Sequence, residues 1–206
     1  MSSIYTLIKT ISFKWYRFKT IFWYKFFFQK IGKHCIILKP IFITPESIEI
    51  GDNVSIGWQA RIEGVKQYQT EQFTPKIIFN NGVTIQQNLH LTCAEFIEIG
   101  KNTAIAANVS ITDIHHPYDD IHLPIEQQNI TTKPVYIGEN CKIYNNVIIM
   151  QGTKIGKHCT IGANSIISGH FEDYCVIVGA PARTIKRYSF EKQAWLKTDA
   201  KGNFIE

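Results

Sequence analysis

The stretch KPVYIGENCKIYNNVIIMQGTKIGKHCTIGANSII, residues 133–167, decides the fold. Ile137, Ile143, Ile149, Ile155, Ile161 and Ile167 stand six residues apart within it. The same spacing recurs upstream at Ile50, Ile56 and Ile62, at Phe79, Ile85 and Leu91, and at Ile99, Ile105 and Ile111. Glycine often follows the large apolar residue (Gly51, Gly57, Gly100, Gly138, Gly156, Gly162), and a small or apolar residue sits four places after it, as at Val54, Val109, Cys141, Val147 and Cys159. IEIGDNVSIGWQARI (48–62) and IEIGKNTAIAANVSI (97–111) read as two copies of one unit. Alternating strands and helices cannot produce a strict period of six. A short strand, a turn and another short strand can, and three such hexads close a triangular coil whose turns stack about 4.8 Å apart. Glycine and asparagine at the corners supply the left-handed backbone angles that the turns need. The sequence therefore predicts an all-β parallel solenoid, interrupted at 63–76 and at 112–134. In a solenoid such insertions loop outward and often carry function.

The chain of 206 residues is 45% apolar and 19% charged, which suits one domain with an appendage and excludes a disordered or fibrous protein. No apolar run approaches the roughly 20 residues of a transmembrane helix. Lysines and an arginine interrupt the apolar N-terminus, so no secretory leader is expected and the compartment is read as the cytoplasm. The five cysteines (Cys35, Cys93, Cys141, Cys159, Cys175) include no Cys-x-x-Cys pair, which argues against a disulfide framework and a zinc ribbon. Cys141 and Cys159 lie three hexads apart and are expected to stack, as two small core thiols in a reducing compartment or, as the alternative, as a disulfide.

Charge is distributed unevenly. Residues 1–45 carry eight Lys/Arg and no acid, whereas the rest carries 14 Lys/Arg and 17 Asp/Glu, a net of −3. Residues 1–30 are expected to form a basic, aromatic helical segment, with Lys9, Lys14, Arg17, Lys19, Lys25 and Lys30 among Trp15, Tyr16, Phe18, Phe22, Trp23 and their neighbours. Cations mixed with amphipathic rings suit the headgroup layer of an inner membrane face. A helix packed within a trimer, or capping the end of the stack, is the plainer alternative. Nucleic-acid binding has no recognised module behind it.

With these motifs in hand, the chain resembles the hexapeptide-repeat acyltransferases, and most of all the sugar O-acetyltransferase branch of galactoside, maltose and surface-polysaccharide acetyltransferases. The resemblance covers about 31–187, leaving 188–206 as a C-terminal tail, and its most specific parts are IEIGKNTAIAANVSITDIHHP (97–117), KPVYIGENCKIYNNVII (133–149) and IGANSIISGHFEDYCVIVGAPARTIKR (161–187). It implies a left-handed β-helix, a homotrimer with sites between subunits, acetyl-CoA as donor, a catalytic histidine and no metal.

Acetyl transfer from a thioester to a hydroxyl needs a base for the alcohol, donors for the oxyanion and a hold on the CoA arm. In the resembling enzymes the base precedes Pro or Gly at the start of the larger insertion, and His116, before Pro117, matches it. His115 is the alternative base and otherwise a substrate or loop residue. Asp113 is expected to orient an imidazole or meet substrate, unless it is a solvated turn residue. His90, in LHLT (89–92), matches a position that touches the acceptor, and Asp119, Asp120, His122 and Glu126 line the loop. The resemblance assigns CoA to Asn145, Ala163, Ser168, Arg183 and Lys186. Tyr144, where the family often has glycine, and Ser168-Gly169-His170, where Thr-Lys-Asp is common, depart from its pattern. The expected activity is O-acetylation of a surface polysaccharide or lipid-linked glycan precursor. N-acetylation of an amino sugar or small amine is the runner-up. A zinc carbonic-anhydrase-like protein using His90, His116 and His122, and a non-catalytic trimeric scaffold, are weaker readings.

Overall fold

The computed structural model describes residues 2–199 and 202–205. One helix, Ser2–Phe22, precedes a body of short strands arranged in three parallel sheets. The chain visits the sheets in strict rotation. Lys30–Ile31 lies on the first, Ile36–Ile37 on the second and Phe42–Ile43 on the third, and Ile48–Ile50 returns to the first. The same rotation continues to Cys175–Gly179, broken at two places.

Register follows the hexads. On the first sheet Ile50, Phe79, Ile99, Ile137, Ile155 and Phe171 stack in one column. Ile56, Ile85, Ile105, Ile143, Ile161 and Ile177 do so on the second. Ile62, Leu91, Ile111, Ile149 and Ile167 do so on the third. All these side chains are buried in one continuous core. One corner is built from asparagines with left-handed backbone. Asn88, Asn108, Asn146 and Asn164 have φ near 60°, and each amide of the first three donates to the side-chain carbonyl of the next at 2.9–3.1 Å. Another corner needs glycine because the backbones nearly touch. A Cβ on Gly138 would lie 2.5 Å from the carbonyl carbon of Gly156. The five cysteines are free and buried, and the Cys159 N–H points at the Cys141 sulfur at 3.4 Å, as expected for stacked core thiols.

The ends differ from expectation. The N-terminal helix stops at Phe22, followed by a 3₁₀ turn at Tyr24–Phe26, rather than running through 30. It covers the first coil: Thr20 is fully buried and its hydroxyl accepts the Ile37 N–H at 3.0 Å, while Phe28 joins the core. Residues after 187 are not a loose tail. Ala182–Ser189 pairs antiparallel with Cys175–Gly179, and Ala194–Lys197 pairs with it in turn. The last strand of a parallel stack exposes unpaired backbone, and this hairpin covers it.

The first interruption is a hairpin, Gln67–Tyr68 against Glu71–Gln72. The second leaves the coil at Asp113, crosses the short antiparallel pair Ile114–His115/Thr131–Thr132, and rejoins at Val135. Asp113 is neither a solvated turn residue nor within the cleft. Its carboxylate is completely buried and accepts the backbone N–H groups of Ala94, Glu95 and Phe96, each at 2.8 Å, and the Cys93 thiol at 3.3 Å. Burial pushes this carboxyl's pKa up, against the pull of the backbone donors. It is the anchor at the root of the insertion. Asp113→Ala should therefore cost about 3 kcal/mol or more by leaving buried N–H groups without an acceptor, and Asp113→Asn less. Urea unfolding measures this, and a residue serving only catalysis would instead lose turnover with its unfolding midpoint intact.

Candidate active site

The two insertions meet over the third sheet and enclose a cleft of about 600 Å³. Arg61, His90, Ser110, Tyr68, His116 and Glu126 are among its walls. His90 and Ser110 are there because they pair in register on adjacent coils, both on the outward face. Strand alternation explains the histidine pair: Ile114 and His116 face the cleft, whereas His115 between them turns away. The His115 ring packs edge-on against Tyr118 at 5.9 Å. Neither His115 nor Asp113, both expected to meet substrate, is among the residues lining this cleft.

His116 is oriented by partners from both insertions. Its Nδ1 lies 3.4 Å from the Tyr68 hydroxyl, with the rings edge-to-face at 5.3 Å. Tyr68 donates its single proton to the Glu126 carboxylate at 2.9 Å, with the Glu126 carbonyl at 3.0 Å. With that proton donated to Glu126, the oxygen offers a lone pair to an Nδ1–H, and this pairing goes with the tautomer in which Nε2 is the acceptor. Burial first, and the Glu126 carboxylate second, raise the Tyr68 phenol's pKa and keep it protonated. The Gln69 amide also donates to the Glu126 carbonyl, tying the hairpin to the larger loop. The sequence places Glu126 in the loop and gives no sign of Tyr68 beside it. The contact between them spans 58 residues, and no local pattern announces it.

The other expected residues separate into groups. Asp119, Asp120 and His122 do not line the cleft. Asp120 and His122 belong to the outer loop, where Asp120 accepts the His122 N–H and Gln128 braces both ends. Within one chain, His90 and His116 share the cleft and His122 lies outside it. Among the described residues no group of three or more His, Cys, Asp or Glu side chains is placed to hold a metal.

Asn145 and Ala163 are exposed on consecutive turns of one corner, joined by the Asn164 N–H to the Asn145 carbonyl at 3.0 Å. That corner borders the cleft through Ile148. Ser168 lies at the next corner round, where it shares a separate cavity of about 410 Å³ with Arg183, Arg187 and His170. Lys186, expected beside Arg183, does not line this cavity; the neighbouring Arg187 does. The expected residues thus fall in two separate places, one with His116 and the Asn145–Ala163 corner, the other with Ser168 and two arginines.

Comparison with known proteins bears on this arrangement. The bacterial transferase hexapeptide pattern (six repeats) matches residues 134–169. The chain is 30% identical over 174 residues to the putative lipopolysaccharide biosynthesis O-acetyl transferase WbbJ of Escherichia coli K12, across 80% of this chain and 85% of that protein. Among solved structures, a maltose O-acetyltransferase from Clostridium difficile 630 is similar at 26% identity and TM-score 0.52, over 80% of this chain and 72% of its own. A point mutant of AntD, an N-acyltransferase from Bacillus cereus in complex with dTDP and coenzyme A, shares the fold at 22% identity and TM-score 0.66, over 82% and 89% of the two chains. The chain belongs to the bacterial hexapeptide-repeat transferase family.

Proposed function

We propose that the protein is an acetyl-CoA-dependent O-acetyltransferase acting on a sugar hydroxyl of a surface polysaccharide or its lipid-linked precursor, with His116 as general base. The observation that carries this reading is the chain from Glu126 through the Tyr68 hydroxyl to His116 Nδ1. It leaves Nε2 unprotonated at the wall of an open cleft. Nε2 takes the proton of the acceptor hydroxyl as that oxygen attacks the thioester carbon. The tetrahedral intermediate then expels the CoA sulfur, and the imidazolium returns the proton to it. The Glu126 carboxylate, acting through Tyr68, favours the transient imidazolium. His90, one coil below the root of the loop and on the same cleft wall, is placed to meet the sugar.

Two half-sites on one chain suit a homotrimer of left-handed coils, in which the arginine-lined cavity of one subunit and the His116 cleft of its neighbour serve one CoA. Arg183, with Arg187, supplies cations for phosphate, and the Asn145–Ala163 corner offers backbone groups to the pantetheine arm. The names of the similar O-acetyltransferases favour an oxygen acceptor over nitrogen. Five free thiols suit the reducing cytoplasm, and we place the enzyme there, at the inner membrane surface. A thiol-release assay over a panel of sugars tests the activity, and alkali-labile product acetyl groups distinguish an ester from an amide.

His116→Ala should lower kcat about 100-fold or more, the scale for losing a general base, while the oligomer persists. His115→Ala should stay close to wild type, and the reverse order would move the base to His115. Tyr68→Phe should lower kcat about 3- to 10-fold, the worth of one hydrogen bond, and alter the pH–rate profile without changing the acetyl-CoA KM.

Arg183→Ala should raise the acetyl-CoA KM about tenfold or more, with a smaller change in kcat, because phosphate contacts form equally in ground and transition states. A donor lacking the 3′-phosphate should show less of the defect. Equal losses with both donors would place Arg183 away from that phosphate.

A further inference from the structure

The N-terminal helix is seated on the coil by one side only. Ser12, Tyr16 and Lys19 are half-buried and Thr20 fully buried, and Tyr16 packs edge-on against Trp58 at 5.1 Å. Away from that seat, Ile4, Leu7, Ile11, Trp15, Phe18 and Phe22 are all more than half exposed. At about 100° per residue they fall within one arc of about 80°. Trp15 and Phe18 stack at 5.9 Å, and Phe18 and Phe22 at 4.6 Å, so the stripe forms a continuous apolar ridge. Lys14 borders the ridge on one side and Lys19 on the other, where ammonium groups on long stems reach headgroups while the ridge enters the acyl boundary. Trp23, Phe26 and Phe27 extend the exposed apolar surface past the helix end.

The charge selects the occupant. With eight cations and no acid in residues 1–45, copies of this helix brought together would repel one another, whereas an anionic bilayer complements them.

The ridge also has a fixed relation to the cleft. On the third sheet the strands run from Phe42–Ile43, at the helix end, through Arg61–Gly64 and His90–Cys93 to Ser110–Thr112 beneath the His116 loop. Three strand spacings, about 15 Å, separate the loop from the helix end. The near wall is apolar toward the helix: Ile41 is 72% exposed and Phe42 46%, and the Arg61 guanidinium lies over the Phe42 ring at 5.4 Å. Arg183 and Ser168 lie at the opposite end of the stack.

We infer that the exposed helix ridge seats the enzyme on an anionic bilayer, and that the acceptor is a membrane-anchored glycan whose lipid stays in that bilayer while its sugar enters the cleft from the helix end. The acceptor half of this inference rests on the O-acetyl transfer reading; the membrane half does not.

The test uses the full chain and a variant carrying Leu7→Ser, Ile11→Ser and Phe18→Ser, all on the ridge and away from the buried seat at Thr20. Co-sedimentation is measured with phosphatidylcholine vesicles and with vesicles containing about one-third phosphatidylglycerol. Wild type should bind the anionic vesicles about tenfold better than the neutral ones, with the preference suppressed by high salt. The variant should lose about tenfold in binding while keeping its unfolding midpoint and its oligomeric state in sedimentation. Its turnover should fall on a glycolipid acceptor in vesicles and stay unchanged on the same sugar in solution. Wild type that ignores anionic vesicles overturns the membrane half. A variant that falls to smaller species also overturns it, showing the ridge to be an interface between copies. Equal turnover by wild type and variant on the vesicle-borne glycolipid overturns the acceptor half. Vesicle binding with no thiol release on any sugar would sink the acetyl-transfer reading and leave the membrane surface standing.

Discussion

Each backbone turn of this molecule lies about 4.8 Å above the last, and every side chain must tolerate its counterpart at that distance. This constraint selects the residues position by position. Isoleucine inside stacks on isoleucine, like on like. Asparagine at the corners donates its amide to the next asparagine carbonyl and also tolerates the left-handed backbone the turn requires. Glycine is needed where Gly100, Gly138 and Gly156 bring their backbones together, since a Cβ on Gly138 would meet the next coil at 2.5 Å and one on Gly100 at 2.4 Å. Like charges stacked this closely would repel, so charged groups on the sheets are set off by partners on the next coil, as Lys76 is by Glu49 at 2.8 Å.

A lattice so regular is poor at making a reactive site, because a catalytic group needs neighbours unlike itself. Those neighbours come from the two places where the period breaks. The hairpin contributes Tyr68 and the longer loop contributes His116 and Glu126, and the hydrogen bonds among them also lock the loops together. Asp113 gives this irregular unit a rigid root by holding successive backbone N–H groups of the coil below. Orientation of the imidazole therefore depends on a buried carboxylate that never touches it, through the short stretch of backbone between them.

The coil was fully legible in the sequence, because its cause is local and repeated: the column from Ile137 to Ile167 can be counted without knowing what lies above or below it. His116 and His90 were legible through the motif that carries them, and the structure brings both to one cleft. Asp113 was misread because its partners are backbone groups of another coil, which leave no trace in side-chain spacing. His115 packs on Tyr118 as a loop-supporting residue, and the two-residue strand Ile114–His115 sets which of the two adjacent histidines faces the cleft. Tyr68 was invisible, since its role depends on two insertions meeting across dozens of residues. Lys186 and Arg187 differ by one place, and on an antiparallel strand one place changes the face.

The N-terminal segment posed a choice between capping the stack and meeting a membrane, and the structure shows the first: Thr20 and Phe28 are buried against the first coil. An open end of a parallel stack must be covered, as the hairpin at 182–197 covers the other. Covering it takes one side of a helix, and a polar outer side would complete a soluble cap. Here Thr20 and Phe28 provide the cap, while the outer side carries stacked aromatic rings that capping does not require. Exposed apolar area of that kind is uncommon on a solvated surface, and in this chain it lies at the same end of the stack as Phe42 and the cleft-lining Arg61. The geometry that closes the core thus also sets where the cleft lies relative to the helix.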